Sequence, residues 1–535
     1  MFKFSSRRFN ERLTFREVIM GKVLPQRDHE KRGLRKVPIR YSKSLILLFF
    51  LLLSATCLAS GGSLEGRVVE HTLKNGMHLL MLPRTGAPVV TLQITFKVGS
   101  VDEVEGKTGM AHLFEHMLFK GTTTLGTSDW EAERPIIEEI EAVGEELDAL
   151  RAAGEGESER SRALLEELAK LQESERRYIV KDEIDAIYSR NGGTGFNAFT
   201  TPDMTSYIVS LPAGRVELWA SIESARMRDP VLREFYVERD VVKEERRQRR
   251  EGEPVARMME ELKAAAFTTH PYRNPVIGWP GDLDTLSVKD TRAFYKKYYG
   301  PDNAVVTAVG DINPDDFIAL CERYFGPIPS SGFRRYPLPS EPKQTEARRV
   351  ELKLDAEPIA ILAYHKPTLP HRDDYVLDVV DGILSYGRSS RLVRSLVEEK
   401  KVLTSVSTQN GSPGARYDNL FLLYAEPAPG VTADEALKAL REELALLAAI
   451  PPTREELERV VRKMEADMVR SLLSDGGLSR RLSYFQTVAG DWRYAEENPR
   501  ILKTVTPEEV SAVCAKYFAP ENETAVLLIP TGGEG

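Results

Sequence analysis

Apolar runs set off by polar and turn residues fill the stretch VVEHTLKNGMHLLMLPRTGAPVVTLQITFKVGS, residues 68–100. Such runs predict strands, and Asn75-Gly76 between two of them predicts a hairpin turn. Helical periodicity begins near Met110. From Glu131 a long block follows, EAERPIIEEIEAVGEELDALRAAGEGESERSRALLEELAKLQESERRYIVKDEIDAIYSR, dense in Glu, Arg, Leu and Ala. Its one flexible break is at 154–158, which predicts two amphipathic helices folded as an antiparallel hairpin over 131–188. Their charged faces are expected in water; a partner-binding arm is the alternative.

The pattern then repeats. Thr285-Leu286-Ser287 precedes a helical segment, and Lys297-Tyr298-Tyr299-Gly300-Pro301-Asp302-Asn303 precedes an apolar strand. Thr504-Val505-Thr506 and Lys516-Tyr517-Phe518-Ala519-Pro520-Glu521-Asn522 do the same, at a constant shift of 219 residues. An ungapped match over two elements predicts an α+β protein of two tandem homologous domains, each of mixed or antiparallel sheet packed with helices. The expected limits are 64–327 and 346–535, with the Pro-rich residues 328–345 as linker and the hairpin as an insertion in the first domain.

Composition adds a leader and excludes some partners. At 535 residues, at least two domains are expected, and 42% hydrophobic with 29% charged residues suits a soluble globular chain. Residues 3–43 hold 13 Lys and Arg against 4 acids, which leaves a net charge of about −17 after residue 59. So acidic a body argues against nucleic acid as a partner. The basic lead ends in KSLILLFFLLLSATCLAS, whose unbroken apolar run, residues 45–53, is short for a bilayer span and is followed by small residues around Ala59. A secretory signal within residues 1–60 is expected, with a start at Met20 or an uncleaved anchor as variants; membrane contact would come only through that segment. Export to the periplasm or outside follows. Ser54-Ala55-Thr56 lacks the leucine expected ahead of a lipoprotein cysteine at Cys57. Cys321 and Cys514 have no disulfide or zinc-finger spacing and read as buried thiols.

The candidate chemistry lies in HLFEHMLFKGT, residues 112–122. In a helix His112 and His116 stand one turn apart on one face, with Glu115 beside His116. Two imidazoles so placed can each reach about 2 Å from one Zn²⁺, leaving the carboxylate free to orient a water. This is the inverted order H-x-x-E-H. A catalytic zinc needs a third protein ligand, and FYVERDVVKEERRQRREGEP offers Glu238, Glu244 and Glu245 in a helical context. Glu238 and Glu245 share a face two turns apart, whereas Glu244 points roughly 100° from Glu245. Without the histidines the segment would read as a surface helix laced with Glu–Arg pairs. His71, His78, His365 and His371 fall on or beside strands and read as structural groups, and His270 in HPYRNP as fixing a loop near the site.

Together HLFEHMLFKGT, FNAFTTPDMTSYIVSLP, ERDVVKEE and HPYRNPVIGWPGDLDTL resemble the insulinase (pitrilysin) family of zinc metallopeptidases, in family order and over nearly all of the chain after residue 64. The resemblance implies one zinc per chain on His112, His116 and Glu245, with Glu115 activating its water and Glu238 a carboxylate behind the ligands. It implies that Asn197, Ala198 and Phe199, with Thr200, lie on an edge strand to which an extended peptide adds, so that recognition runs mainly through backbone. Glu245 follows His116 by 129 residues, a gap lengthened by the Glu-rich block, which therefore carries no ligand. The smaller, bacterial-type members that this chain resembles assemble as dimers enclosing a chamber.

One departure bears on partners. The family's second domain carries an Arg and a Tyr that hold substrate, after a helix like SSRLVRSLVEEKKVLTSVS; the matching positions here are Val397 or Glu398, and Ser405. A homodimer working without that pair and a heterodimer with a homologous subunit that carries it are both open. The leading expectation is an exported zinc endopeptidase of oligopeptides or unfolded segments. Its rivals are a non-catalytic assembly subunit of the same fold and an interaction protein whose hairpin is the functional part. A structural zinc would be closed by four protein ligands, which favours catalysis here.

Overall fold

The computed structural model describes residues 64–531; the expected signal or anchor at 1–60 lies outside the described residues. Among the described residues no helix is long and apolar enough to cross a membrane.

The first half is built on β1 (Val69–Thr72), β2 (His78–Pro83), β3 (Val89–Phe96), β4 (Thr194–Thr200), β5 (Thr205–Pro212) and β6 (Ala304–Gly310), in the spatial order β1-β2-β6-β3-β5-β4. Only β2 and β6 run parallel. The β1–β2 hairpin turns at Gly76 with φ +93°, where a Cβ would meet Asp302 Cβ at 2.9 Å, so glycine is required. β3 shows why its alternation is so regular. Val90, Leu92, Ile94 and Phe96 enter the main core, while Thr91, Gln93 and Thr95 turn to the other face. That face is covered too. The helix Asp475–Val488, from the C-terminal half, crosses it: Ser479 donates to Gln93, and Ser483 to Thr95. Leu478, Leu482 and Trp492 bury Leu80 and Leu82 of β2. An unbroken apolar run such as LLMLP, residues 79–83, is what a strand covered on both faces requires.

The second half has β7 (Arg348–Leu354), β8 (Ile359–Lys366), β9 (Leu403–Ser412), β10 (Asn419–Pro427) and β11 (Glu523–Pro530), in the order β7-β11-β8-β10-β9 with β7 and β11 parallel. This is the first sheet without β1. The helix Val288–Tyr298 before β6 and the helix Pro507–Tyr517 before β11 begin and end 219 residues apart, as the repeated motifs require. The fold is thus α+β with two tandem homologous domains. Residues 329–345 carry neither helix nor strand. Cys321 and Cys514 are buried free thiols.

The charged block forms the helices Trp130–Ala152 and Glu159–Glu175, capped by the Asp129 and Ser158 side chains. Ile140, Val143, Leu147, Leu164 and Leu168 join the first core. Not all the charge is solvated, against expectation. Glu133 and Glu175 are 0% and 2% exposed, because they face Arg233 and the start of the helix Phe235–Arg246. Gly144 lies so near Tyr236 that a Cβ would stand 1.9 Å from Oη, so the two helices touch through glycine.

Candidate metal centre

The helix Met110–Met117 carries the H-x-x-E-H motif. It starts at Gly109, φ +88°, where a Cβ would lie 2.6 Å from the Ile277 carbonyl oxygen. The buried Glu103 carboxylate accepts from the N–H groups of Gly109 and Ala111 at 2.9 and 2.8 Å, satisfying donors that the first turn leaves free. Met110, Leu113, Phe114 and Met117 are buried, which turns His112, Glu115 and His116 towards a cleft.

The helix Phe235–Arg246 brings the acids. Glu245 Oε2 stands 3.9 Å from His112 Nε2 and 3.6 Å from His116 Nε2. Glu244, one residue earlier, turns out to Arg247 and Gln248. Glu238 Oε2 accepts from His116 Nδ1 at 3.2 Å, which leaves Nε2 of a neutral ring with its lone pair towards the cluster. Lys120 Nζ reaches Glu238 Oε1 at 2.6 Å and Glu234 Oε2 at 2.8 Å.

The donor set fits a divalent ion. One candidate ligand atom from each of His112, His116 and Glu245 lies within 4.8 Å of the others. Atoms about 2.0–2.1 Å from a tetrahedral zinc sit roughly 3.3 Å apart, so the two Glu245 distances need about half an ångström of closure and the whole set at most about 1.5 Å. Two imidazoles and a carboxylate are also the ligand chemistry zinc takes. Burial, with His116, Arg249 and Arg250 nearby, pulls the His112 pKa down to about 3, so its ring is neutral as a ligand must be. Burial would lower His116 as well, but its hydrogen bond to Glu238 and the carboxylates of Glu238, Glu115 and Glu245 outweigh it and raise the pKa. The same negative surroundings favour a cation. Burial raises the Glu115 pKa, and Thr200 opposes this by donating its hydroxyl to Glu115 Oε2 at 2.5 Å.

Asn197, Ala198 and Phe199 lie on β4, which pairs only with β5 and leaves its outer edge open among the described residues. Asn197 and Ala198 line a cavity of about 410 Å³ together with Glu115, His116 and Glu238; Phe199 does not. His270 is not at this site. It caps the turn Pro271–Arg273 and lines a separate cavity under residues 338–344, because Glu341 accepts from its backbone N–H. His371 likewise caps a helix, Arg372–Ser385, and stands on no strand. Val397 packs against the second core, Glu398 faces Arg388, and Ser405 sits on β9. Sequence reasoning puts Thr200 on the peptide-binding strand but misses its bond to Glu115, and it misses Glu103 altogether. For Thr200 the signal was its place three residues after Asn197, on a strand expected beside the motif.

Two like halves, one of them bearing an H-x-x-E-H helix and an acid from a second helix, build a site that could hold a metal ion. Sequence profiles agree: that described as Insulinase (Peptidase family M16) matches residues 80–154 and 164–279, and that described as Peptidase M16 inactive domain matches 285–464. The chain is 27% identical to the zinc protease PqqE of Helicobacter pylori over 86% of its own length and 92% of that protein's. It is 22% identical to the uncharacterized zinc protease YmxG of Bacillus subtilis over 87% and 99%. A crystal structure of a protease from Helicobacter pylori superposes with TM-score 0.72 at 25% identity, covering 87% of this chain and 100% of that one. The first half of the periplasmic protease PqqL from Escherichia coli shares the fold, with TM-score 0.64 at 16% identity, over 86% and 92%. The chain belongs to the insulinase family, peptidase family M16.

Proposed function

We propose that the chain is a zinc-dependent endopeptidase that cuts oligopeptides or unfolded segments laid along β4. The observation that carries this is the meeting of His112, His116 and Glu245, with Glu115 free of the ligand set and held by Thr200 next to an open strand edge. Zinc, when bound, supplies a Lewis acid that polarises the scissile carbonyl and acidifies water. The remaining work falls to the chain. Backbone groups of Asn197 and Ala198 hold the peptide as an added strand, which tolerates many sequences. Glu115 takes a proton from the attacking water and hands it to the departing amine nitrogen. Glu238 fixes the tautomer and tilt of His116, and Lys120 fixes Glu238.

In this reading the chain works as a dimer around a chamber. With Val397 or Glu398, and Ser405, in place of the Arg and Tyr, that dimer is either a heterodimer with a homologous subunit that supplies the pair or a homodimer that works without it. The match of residues 285–464 to an inactive domain accords with a second half that bears no ligands. The basic lead and apolar run in residues 1–60 support export, to the periplasm or outside, with the leader removed or kept as a tether.

The test is Glu115→Gln. The proposal expects zinc retained, by metal analysis, and cleavage of an unstructured peptide lost. Wild-type turnover in the variant would refute the base, and full turnover by the purified chain alone would rule out an obligate partner.

A further inference from the structure

The cavity beside β4 reaches Glu115 and His116 but not His112. On the side of His112 stand Arg249 and Arg250, close enough to help keep its ring neutral. They belong to the π-helical turn Arg247–Glu251, into which the helix carrying Glu245 runs, and the helix Pro254–Ala266 returns beside that turn with Lys263. We propose that Arg250 and Lys263 together bind a carboxylate of the peptide whose bond lies at the metal centre. The inference rests on the peptidase reading above and names a substrate class for it: peptides with an acidic side chain, or a free C-terminus, near the cut.

Three observations support it. First, the fold holds the two cations together. Arg246 and Glu260 form a buried bidentate pair, at 2.8 and 2.9 Å, that clamps the two helices side by side. Arg250 follows Arg246 by four residues and Lys263 follows Glu260 by three, so each lies about one turn beyond the clamp. Burial, and then Arg250 ahead of every other charged group, pull the Lys263 pKa down to about 8.

Second, no carboxylate of the chain answers this pair. Glu260 is taken by Arg246, Glu245 by Arg249 at 2.6 Å, and Glu244 by Arg247 and Gln248. Among the described residues neither Arg250 nor Lys263 makes an ion pair or a side-chain hydrogen bond. Both are half-buried, so a ligand can still reach them. Third, a carboxylate seated between them would replace a repulsion by two charge-assisted hydrogen bonds, which a neutral side chain or an amide cannot do.

The experiment uses N-terminally labelled peptides of a Gly/Ala/Ser/Phe background. In one arm a single Asp, or its isostere Asn, is moved through each position of octapeptides amidated at the C-terminus. In the other arm no Asp is present, and the C-terminus is free or amidated. Binding is read by anisotropy on the zinc-loaded Glu115→Gln chain, and turnover on the wild type. In at least one arm the carboxylate should beat the amide by roughly tenfold, and the arm tells a side chain from a terminus. Arg250→Gln and Lys263→Met should each cut that ratio to below about threefold with zinc content unchanged, while Arg250→Lys keeps most of it. A ratio near one in both arms, or one undiminished in both charge-removing variants, overturns the carboxylate site; cleavage of the same peptides would then leave the hydrolytic reading standing. A carboxylate preference in binding without cleavage of any peptide keeps the site and refutes the hydrolytic reading.

Discussion

Glu133 and Arg233, a hundred residues apart in sequence, meet as a buried bidentate pair, Nε to Oε1 at 2.6 Å and Nη2 to Oε2 at 2.9 Å. Arg233 also donates to the carbonyls of Lys120, Thr122 and Leu125, in the loop that follows the motif helix. One guanidinium therefore joins the insertion, the motif helix and the start of the helix that carries Glu238 and Glu245. Glu133→Ala would leave that guanidinium buried without its carboxylate, a loss of about 3–5 kcal/mol. The urea midpoint should fall accordingly. Glu146→Ala, which breaks the exposed pair with Arg160, should leave the midpoint nearly unchanged. Equal effects of the two would remove the brace.

Glu175 ends the insertion's second helix with its carboxyl buried, and burial together with Glu133 and Glu234 pushes its pKa up to about 7. The folded state holds this proton more tightly than the unfolded chain does, so stability falls as pH rises from about 4.3 to 7 and stays lower above that. Glu175→Gln removes the titration. The variant should match the wild type near pH 4 and exceed it at pH 8, by an amount on the order of 3 kcal/mol. Denaturant melts at both pH values check the sign; a gap independent of pH would refute it.

Thr200 holds Glu115 from the end of β4. Thr200→Val keeps the branched shape and deletes the donor, worth about 1 kcal/mol as a net hydrogen bond and more if the geometry of the base is lost. The expected result is a fall of about tenfold in kcat/KM with zinc content intact. Loss of zinc in step with activity would mean that Thr200 serves the metal cluster instead.

How much of this was legible in the sequence depends on how local the determinant is. The spacing of His112, Glu115 and His116 sets their common face through one turn of helix, and seven residues set that of Glu238 and Glu245. The duplication showed as a constant shift, because each half builds the same strand order. Partners across the fold were not legible. Periodicity marks the hairpin's faces but cannot say that Glu133 and Glu175 turn inwards, since that depends on where Arg233 is carried. The hydroxyl of Thr200 meets Glu115 only because β4 lies at the sheet edge beside the motif helix, a consequence of sheet order. His270 fixes a turn, as expected, but that its backbone is held by Glu341 of the linker was not legible. Nor does the pattern reveal that the helix Asp475–Val488 packs on the sheet of the other half.

The central claim is that Glu245, and not its neighbour, completes a site with His112 and His116. It is tested most directly by zinc stoichiometry in Glu245→Gln and Glu244→Gln after dialysis against a weak chelator. The account predicts about one zinc per chain in the wild type and in Glu244→Gln, and little in Glu245→Gln. Undiminished zinc in Glu245→Gln would contradict it.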